Sequence, residues 1–157
     1  MRALTLLRQP RSRRQLVLEA CRELLRAWWL VRFREFRTYA GELGEAHPAS
    51  FATEFTHDDA ALLRDIRWAI DAINRTVGGR FTCLMQALAG KVMLNRRGVE
   101  NTLVLGARLK RDEAEAGEAP MAAHAWLKVG RLILLGGEAS VGYVPVTSYH
   151  SGRTPEN

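Results

Sequence analysis

The hydrophobic period of the chain changes once, near Gly98, and that change limits the possible folds more than any other feature. Up to that glycine, apolar residues return every three or four positions, as on a helix. Beyond it they tend to alternate, as on a strand. Residues 12–40 carry Leu16, Leu18, Cys21, Leu24, Leu25, Trp28, Trp29, Val31, Phe33 and Phe36 at helical spacing. This predicts one long helix or two shorter ones, with Ser12 as N-cap and with Trp28 and Trp29 in the core. Residues 41–56, with Gly41, Gly44, Pro48 and Ser50, read as a linker. A second helix is expected over 57–77, with Leu62, Leu63, Ile66, Ile70, Ile73 and Val77 on one side. Thr56 would cap it, Asp58 and Asp59 in its first turn suit the helix dipole, and Gly78-Gly79 would end it. Thr82 then caps a third helix, rich in Ala, Leu and Met, that runs to Arg97 and stops at Gly98.

After Gly98, strands are expected over 102–109, 124–129 and 132–135, the last two joined by a tight hairpin at Gly130-Arg131. Residues 110–122, charged and small, read as a surface loop. Residues 143–146 read as one more short strand, and the tail from Ser151 as frayed. Helices first, then three or four antiparallel strands, is an α+β layout with the sheet packed on the central helix.

At 157 residues the chain is expected to form one domain, with 1–56 as a helical part and linker and 57–150 as the core. Its two cysteines, Cys21 and Cys83, are too few for a disulfide framework and have no metal-ligand spacing, so no metal or cofactor is expected. Reduced thiols and no secretory signal point to the cytoplasm. The most apolar window, 24–33, is broken by Arg26 and Arg32, which argues against a membrane span. The net charge of +6 is uneven. Residues 1–40 hold ten arginines and three glutamates, a net of +7, and the rest balances to −1. Such a basic face suits an acidic partner or stands solvated, and no nucleic-acid-binding motif accompanies it.

Two residues carry candidate chemistry. Cys83 falls on the first turn of the third helix, where unpaired N–H groups and a positive partial charge favour thiolate over thiol and can hold an oxyanion. Taken alone, a cysteine on an apolar helix reads first as a small buried hydrophobe, as Cys21 does. His124 begins a strand, with Trp126 and Lys128 on its face and Ala125, Leu127 and Val129 on the other. A base on a strand beside a thiol at a helix start is the arrangement a Cys/His peptidase needs. His47, His57 and His150 have no comparable context.

The stretch Cys83-Leu84-x-x-Ala87-Leu88-Ala89, then Leu94-x-Arg96-Arg97-Gly98-Val99, resembles the transglutaminase-like leader peptidase of lasso peptide biosynthesis, often called the B protein. The likeness continues through Leu103-Val104-Leu105-Gly106-Ala107-Arg108 and Ala123-His124-Ala125-Trp126. Upstream it takes in Arg13-Arg14-Gln15-Leu16-Val17-Leu18-Glu19-Ala20 and Ile66-Arg67-Trp68-Ala69-Ile70, and covers about residues 10–140. The resemblance implies a transglutaminase-like, papain-like core with Cys83 as nucleophile, His124 as base and a carboxylate orienting the histidine. The family's aspartate has no counterpart, since no Asp follows position 112. Glu138 is the nearest carboxylate, and a Cys/His dyad oriented by a backbone carbonyl is the other option. The implied reaction is removal of the leader from a ribosomally made precursor peptide, with a separate leader-recognition protein and a lasso cyclase as partners. Transglutaminase-type crosslinking or deamidation, or a non-catalytic peptide-binding module, are the alternatives. Gln86 reads as an oxyanion helper or an exposed helix residue. Arg96 and Arg97 read as a helix-end charge pair or a site for an acidic stretch of peptide.

Overall fold

The computed structural model describes residues 11–47, 60–109 and 121–152. Thr56, His57, Asp58, Asp59 and residues 110–120 of the loop expected over 110–122 lie outside the described residues, and Met121 and Ala122 of that loop are strand instead. Among the described residues four α-helices precede Gly98: α1 (Arg11–Phe33), α2 (Phe36–Ala40), α3 (Ala60–Thr76) and α4 (Cys83–Asn95). The strands are β1 (Glu45–His47), β2 (Asn101–Leu109), β3 (Met121–Val129), β4 (Leu132–Leu135) and β5 (Val144–Ser151). They form one antiparallel sheet in the order β1-β5-β2-β3-β4, so the fold is α+β as expected.

Helix α4 lies at the centre. Met85, Ala87, Leu88, Ala89, Lys91, Met93 and Leu94 are buried almost all round it, as expected of a helix covered on every side. The sheet packs on one flank through β2, β3 and β4, and α1 and α3 cover the other. Helix α3 contributes Leu63, Ile66, Ala69, Ile70 and Ile73, the i, i+3, i+4, i+7 stripe read from its sequence. The buried apolar residues of helix α1 are Leu16, Ala20, Leu24 and Ala27, with Val17, Cys21, Leu30 and Val31 packed at the edge. Those small and slender side chains let it sit close on its neighbours, and two anionic residues then fasten it. Glu19 takes both Arg96 and Arg97, with Arg97 Nη2 at 2.6 Å, and the buried Glu23 takes Arg96 Nη2 at 2.9 Å. The guanidinium of Arg97 holds the Glu19 carboxyl below the usual carboxylate range. Arg96 and Arg97 therefore tie the end of α4 to α1.

Several expectations need correction. Trp28, Trp29 and Phe33 are exposed, as are Leu18 and Leu25, because α1 has two apolar faces and the narrower, alanine-containing one is turned inward. Ser12 is the second residue of α1 and lies inside the helix. The linker contains structure: a 3₁₀ turn at Gly41–Leu43, then β1, which pairs with β5 at the sheet edge through Ala46 and Tyr149. Among the described residues the sheet has five strands. β5 is twice the expected length and sits second in the order; its Pro145, which lacks an N–H, falls beside a register shift at Leu105/Gly106 that lets the pairing continue past it. Ser151 pairs with Asn101, so the strand continues to the point read as a frayed tail. Helix α4 ends at Asn95, and Gly98, at φ +66°, closes the turn that follows. Among the described residues no helix is long and apolar enough to cross a membrane, and no group of His, Cys, Asp or Glu is placed to hold a metal ion.

Candidate active site

Cys83 is the first residue of α4, and the cap read from the sequence is present. Thr82 is extended, at φ −68° and ψ 166°, and its hydroxyl accepts from the Met85 N–H. The Gln86 N–H bonds Thr82 O, the first regular helical bond, and the N–H groups of Cys83 and Leu84 precede that ladder. The approach to the helix is also pinned. Asn74 Oδ1 accepts from the Phe81 N–H at 3.0 Å, and Gln86 Nε2 donates to Phe81 O at 2.8 Å. Gln86 is thus a brace for the turn that delivers Cys83, committed to Phe81 rather than to an oxyanion. Cys83 is half-buried and packs at the edge of the core, as does Cys21 in mid-α1.

The direction of α4 over the sheet places its start. Gly90 faces Leu127 of β3 and Leu135 of β4. Lys91 reaches Asn101, the residue that opens β2 beside the far end of β3. The helix therefore runs toward Val129, and its start points back toward Met121. Seven residues of helix, about 10 Å, match about three residues of strand. Cys83 therefore lies toward the Met121 end of β3, on the sheet face of Ala125 and Leu127, whereas the strand alternation turns His124 to the other face. Among the described residues no hydrogen bond joins them.

His124 is the fourth residue of β3 rather than its first, opposite Gly106 of β2. It is buried, and the alternation read from the sequence holds. Ala125, Leu127 and Val129 belong to the core beneath α4, and His124 shares its face with Trp126. The imidazole stacks near Trp126, with ring centroids 5.9 Å apart at 26°, and lies 5.2 Å from the Tyr143 ring. Gly106 makes room for that indole, since a methyl at 106 would lie 2.6 Å from two of its ring carbons.

The ring's polar partner is a main-chain oxygen. His124 Nε2 lies 2.8 Å from Gly136 O. A carbonyl can only accept, so the proton sits on Nε2, and in the neutral ring Nδ1 is left with the lone pair. Gly136 is at φ +78°, and a methyl there would lie 2.6 Å from Ala125 O and 3.1 Å from Trp126 Cβ. Only glycine brings its carbonyl so close to this strand. Glu138, two residues on, is exposed on the 3₁₀ turn Glu138–Ser140, and the contact to Nε2 is made by Gly136 O instead. A main-chain hydrogen-bond partner leaves no mark in side-chain chemistry.

The other histidines stand apart. His150 lies in β5 at the Thr102 end of β2, with Nδ1 3.1 Å from Thr102 Oγ1, and burial lowers its pKa. His47 lies in β1 beside Ser148. His57 is outside the described residues. Tyr143 and Arg108, which line the face around His124, were not singled out by sequence reasoning.

A family model described as the transglutaminase-like superfamily matches residues 24–148. No curated protein and no solved structure matches the chain. Members of that superfamily are usually cysteine-dependent enzymes, acting as peptidases or acyl transferases. The matched residues include α4 with Cys83 and β3 with His124 and span most of the sequence: the chain belongs to the transglutaminase-like superfamily.

Proposed function

We propose that this protein is a cysteine peptidase that removes the leader from a ribosomally made lasso precursor peptide, with Cys83 as nucleophile and His124 as base. The observation that carries the chemistry is the hydrogen bond from His124 Nε2 to Gly136 O. With Nε2 donating to that carbonyl, Nδ1 is left to accept a proton, and the capped helix start supports Cys83 as the thiol that gives it. The backbone carbonyl does the orienting work that a carboxylate does in a triad.

In the first step Cys83 Sγ attacks the scissile carbonyl carbon and its proton passes to His124 Nδ1. The N–H groups of Cys83 and Leu84 face the oxyanion that forms. His124 then gives the proton to the departing amine, the C–N bond breaks, and an acyl-Cys83 thioester remains. Water attacks the thioester and yields its proton to Nδ1. The leader's carboxylate leaves as that proton returns to sulfur. If an amine took the place of water, the same thioester would crosslink. The basic outer face of α1 supports docking of a separate, acidic leader-recognition protein, and the freed core would pass to a cyclase.

The test is mass spectrometry of a precursor peptide incubated with the purified protein. Hydrolysis gives two fragments whose masses sum to the precursor plus one water. A single heavier product, or a gain of about one mass unit from deamidation, would assign the chain to acyl transfer instead.

A further inference from the structure

Arg108 is an exposed residue of β2, two positions beyond Gly106 on the face that carries His124. Its stem runs against Gly142, and its guanidinium carbon lies 5.2 Å from the centroid of the Tyr143 ring. Tyr143 in turn lies 5.2 Å from His124. The charge is thus held within about 10 Å of the candidate base, because each of the two ring contacts is 5.2 Å. Among the described residues Arg108 makes no ion pair, unlike Arg13, Arg22, Arg26, Arg67, Arg96 and Arg97. An arginine that packs on an aromatic ring, with its planar donors uncommitted, is set to receive a carboxylate.

We propose that Arg108 is an anion-recognising group of the substrate site, and that the peptide carries an acidic side chain near the bond that is attacked. At about 3.3 Å per residue of extended peptide, 10 Å is three residues. The carboxylate belongs within that distance of the scissile bond. This inference rests on the proposed pairing of Cys83 with His124, and the test separates the two.

Cys83 is alkylated in a Cys21→Ala background with iodoacetate and, separately, with iodoacetamide. The two reagents differ chiefly in that the first carries a carboxylate. The readout is the ratio of their rates at low ionic strength. Arg108→Gln is expected to lower the iodoacetate to iodoacetamide ratio about five-fold. Arg108→Lys should keep it within two-fold, and the difference should shrink in 0.5 M salt. Arg131→Gln, at the hairpin on the far end of β3, controls for net charge and should leave the ratio unchanged. If Arg108→Gln leaves the ratio where it was, or lowers it no more than Arg131→Gln does, the anion-recognition inference is overturned. His124→Ala answers the other question: it should slow both reagents together. If it slows neither, the pairing of Cys83 with His124 falls, whatever Arg108 does.

Discussion

At position 136 the backbone takes φ +78°, and any side chain there meets the carbonyl oxygen of Ala125. That one glycine aims the main-chain oxygen at His124 Nε2. Gly136→Ala adds left-handed strain of about 1–2 kcal/mol and a steric contact that must push the turn away from β3. It is expected to lower thermal stability and to cut peptide cleavage by at least ten-fold. Glu138→Gln, on an exposed turn, should change cleavage less than three-fold. Turnover of the two variants beside that of the parent checks both expectations. A large loss in Glu138→Gln would mean that the carboxylate, not the carbonyl, orients the ring. The helix start at Cys83 was legible, because Gly78-Gly79, the Thr82 cap and an apolar helix are local signals that need no tertiary partner. The sequence announced His124 only through the strand that bears it. Which carbonyl meets the ring was illegible, since every residue has one and only the fold selects among them.

At the scale of single elements, α4 carries an unusual burden. Lys91 is fully buried, donating to Asn101 Oδ1 at 3.0 Å and to Tyr149 O at 3.1 Å, with no ion-pair partner among the described residues. Burial lowers its pKa to about 8. The folded value lies below the unfolded one of 10.5, so the unfolded chain holds more protons between about pH 8 and 10.5. The contribution of Lys91 to stability therefore rises with pH across that window. Below pH 8 its buried charge is a fully felt cost. The difference in unfolding free energy between the parent and Lys91→Met should shift toward the parent by about 2 kcal/mol from pH 7 to pH 10. Denaturant melts at the two pH values measure it, and a difference that does not move with pH would contradict the burial of a titrating amine. The other elements varied in how far they could be read. α3 and β3 have strong single periods and were legible to within a few residues. β1 and the second half of β5 were not, because Glu45, Ser148 and His150 carry no strand propensity of their own and are extended only by pairing.

Across the whole molecule, the largest run of exposed aromatic and basic residues lies on α1. Leu18, Leu25, Trp29 and Phe33 recur along the outer side of α1, and Arg14, Arg32 and Arg34 are exposed around them without ion pairs among the described residues. Arg13 belongs to the fold instead. It bonds Asp65 at 2.8 Å and lies over the Trp68 ring. Reversing Arg14, Arg32 and Arg34 to Glu is expected to leave the circular dichroism spectrum unchanged and to weaken binding of the proposed acidic recognition partner. The loss should be largest at low salt and fade as ionic strength rises. Equal binding by variant and parent at low salt would reduce this face to a solvated surface. The α+β layout was legible from the change of period at Gly98. The outward turn of the tryptophans was not, because helical phase alone cannot say which of two apolar faces meets the core.

The identity of the nucleophile is tested by cleavage of a precursor peptide with three purified proteins: the parent, Cys83→Ala and Cys21→Ala. Cys83 stands at a capped helix start and Cys21 in mid-helix. Cleavage should therefore vanish in Cys83→Ala and persist within about two-fold in Cys21→Ala. Folded Cys83→Ala protein that still releases the leader at the parent's rate would contradict the account.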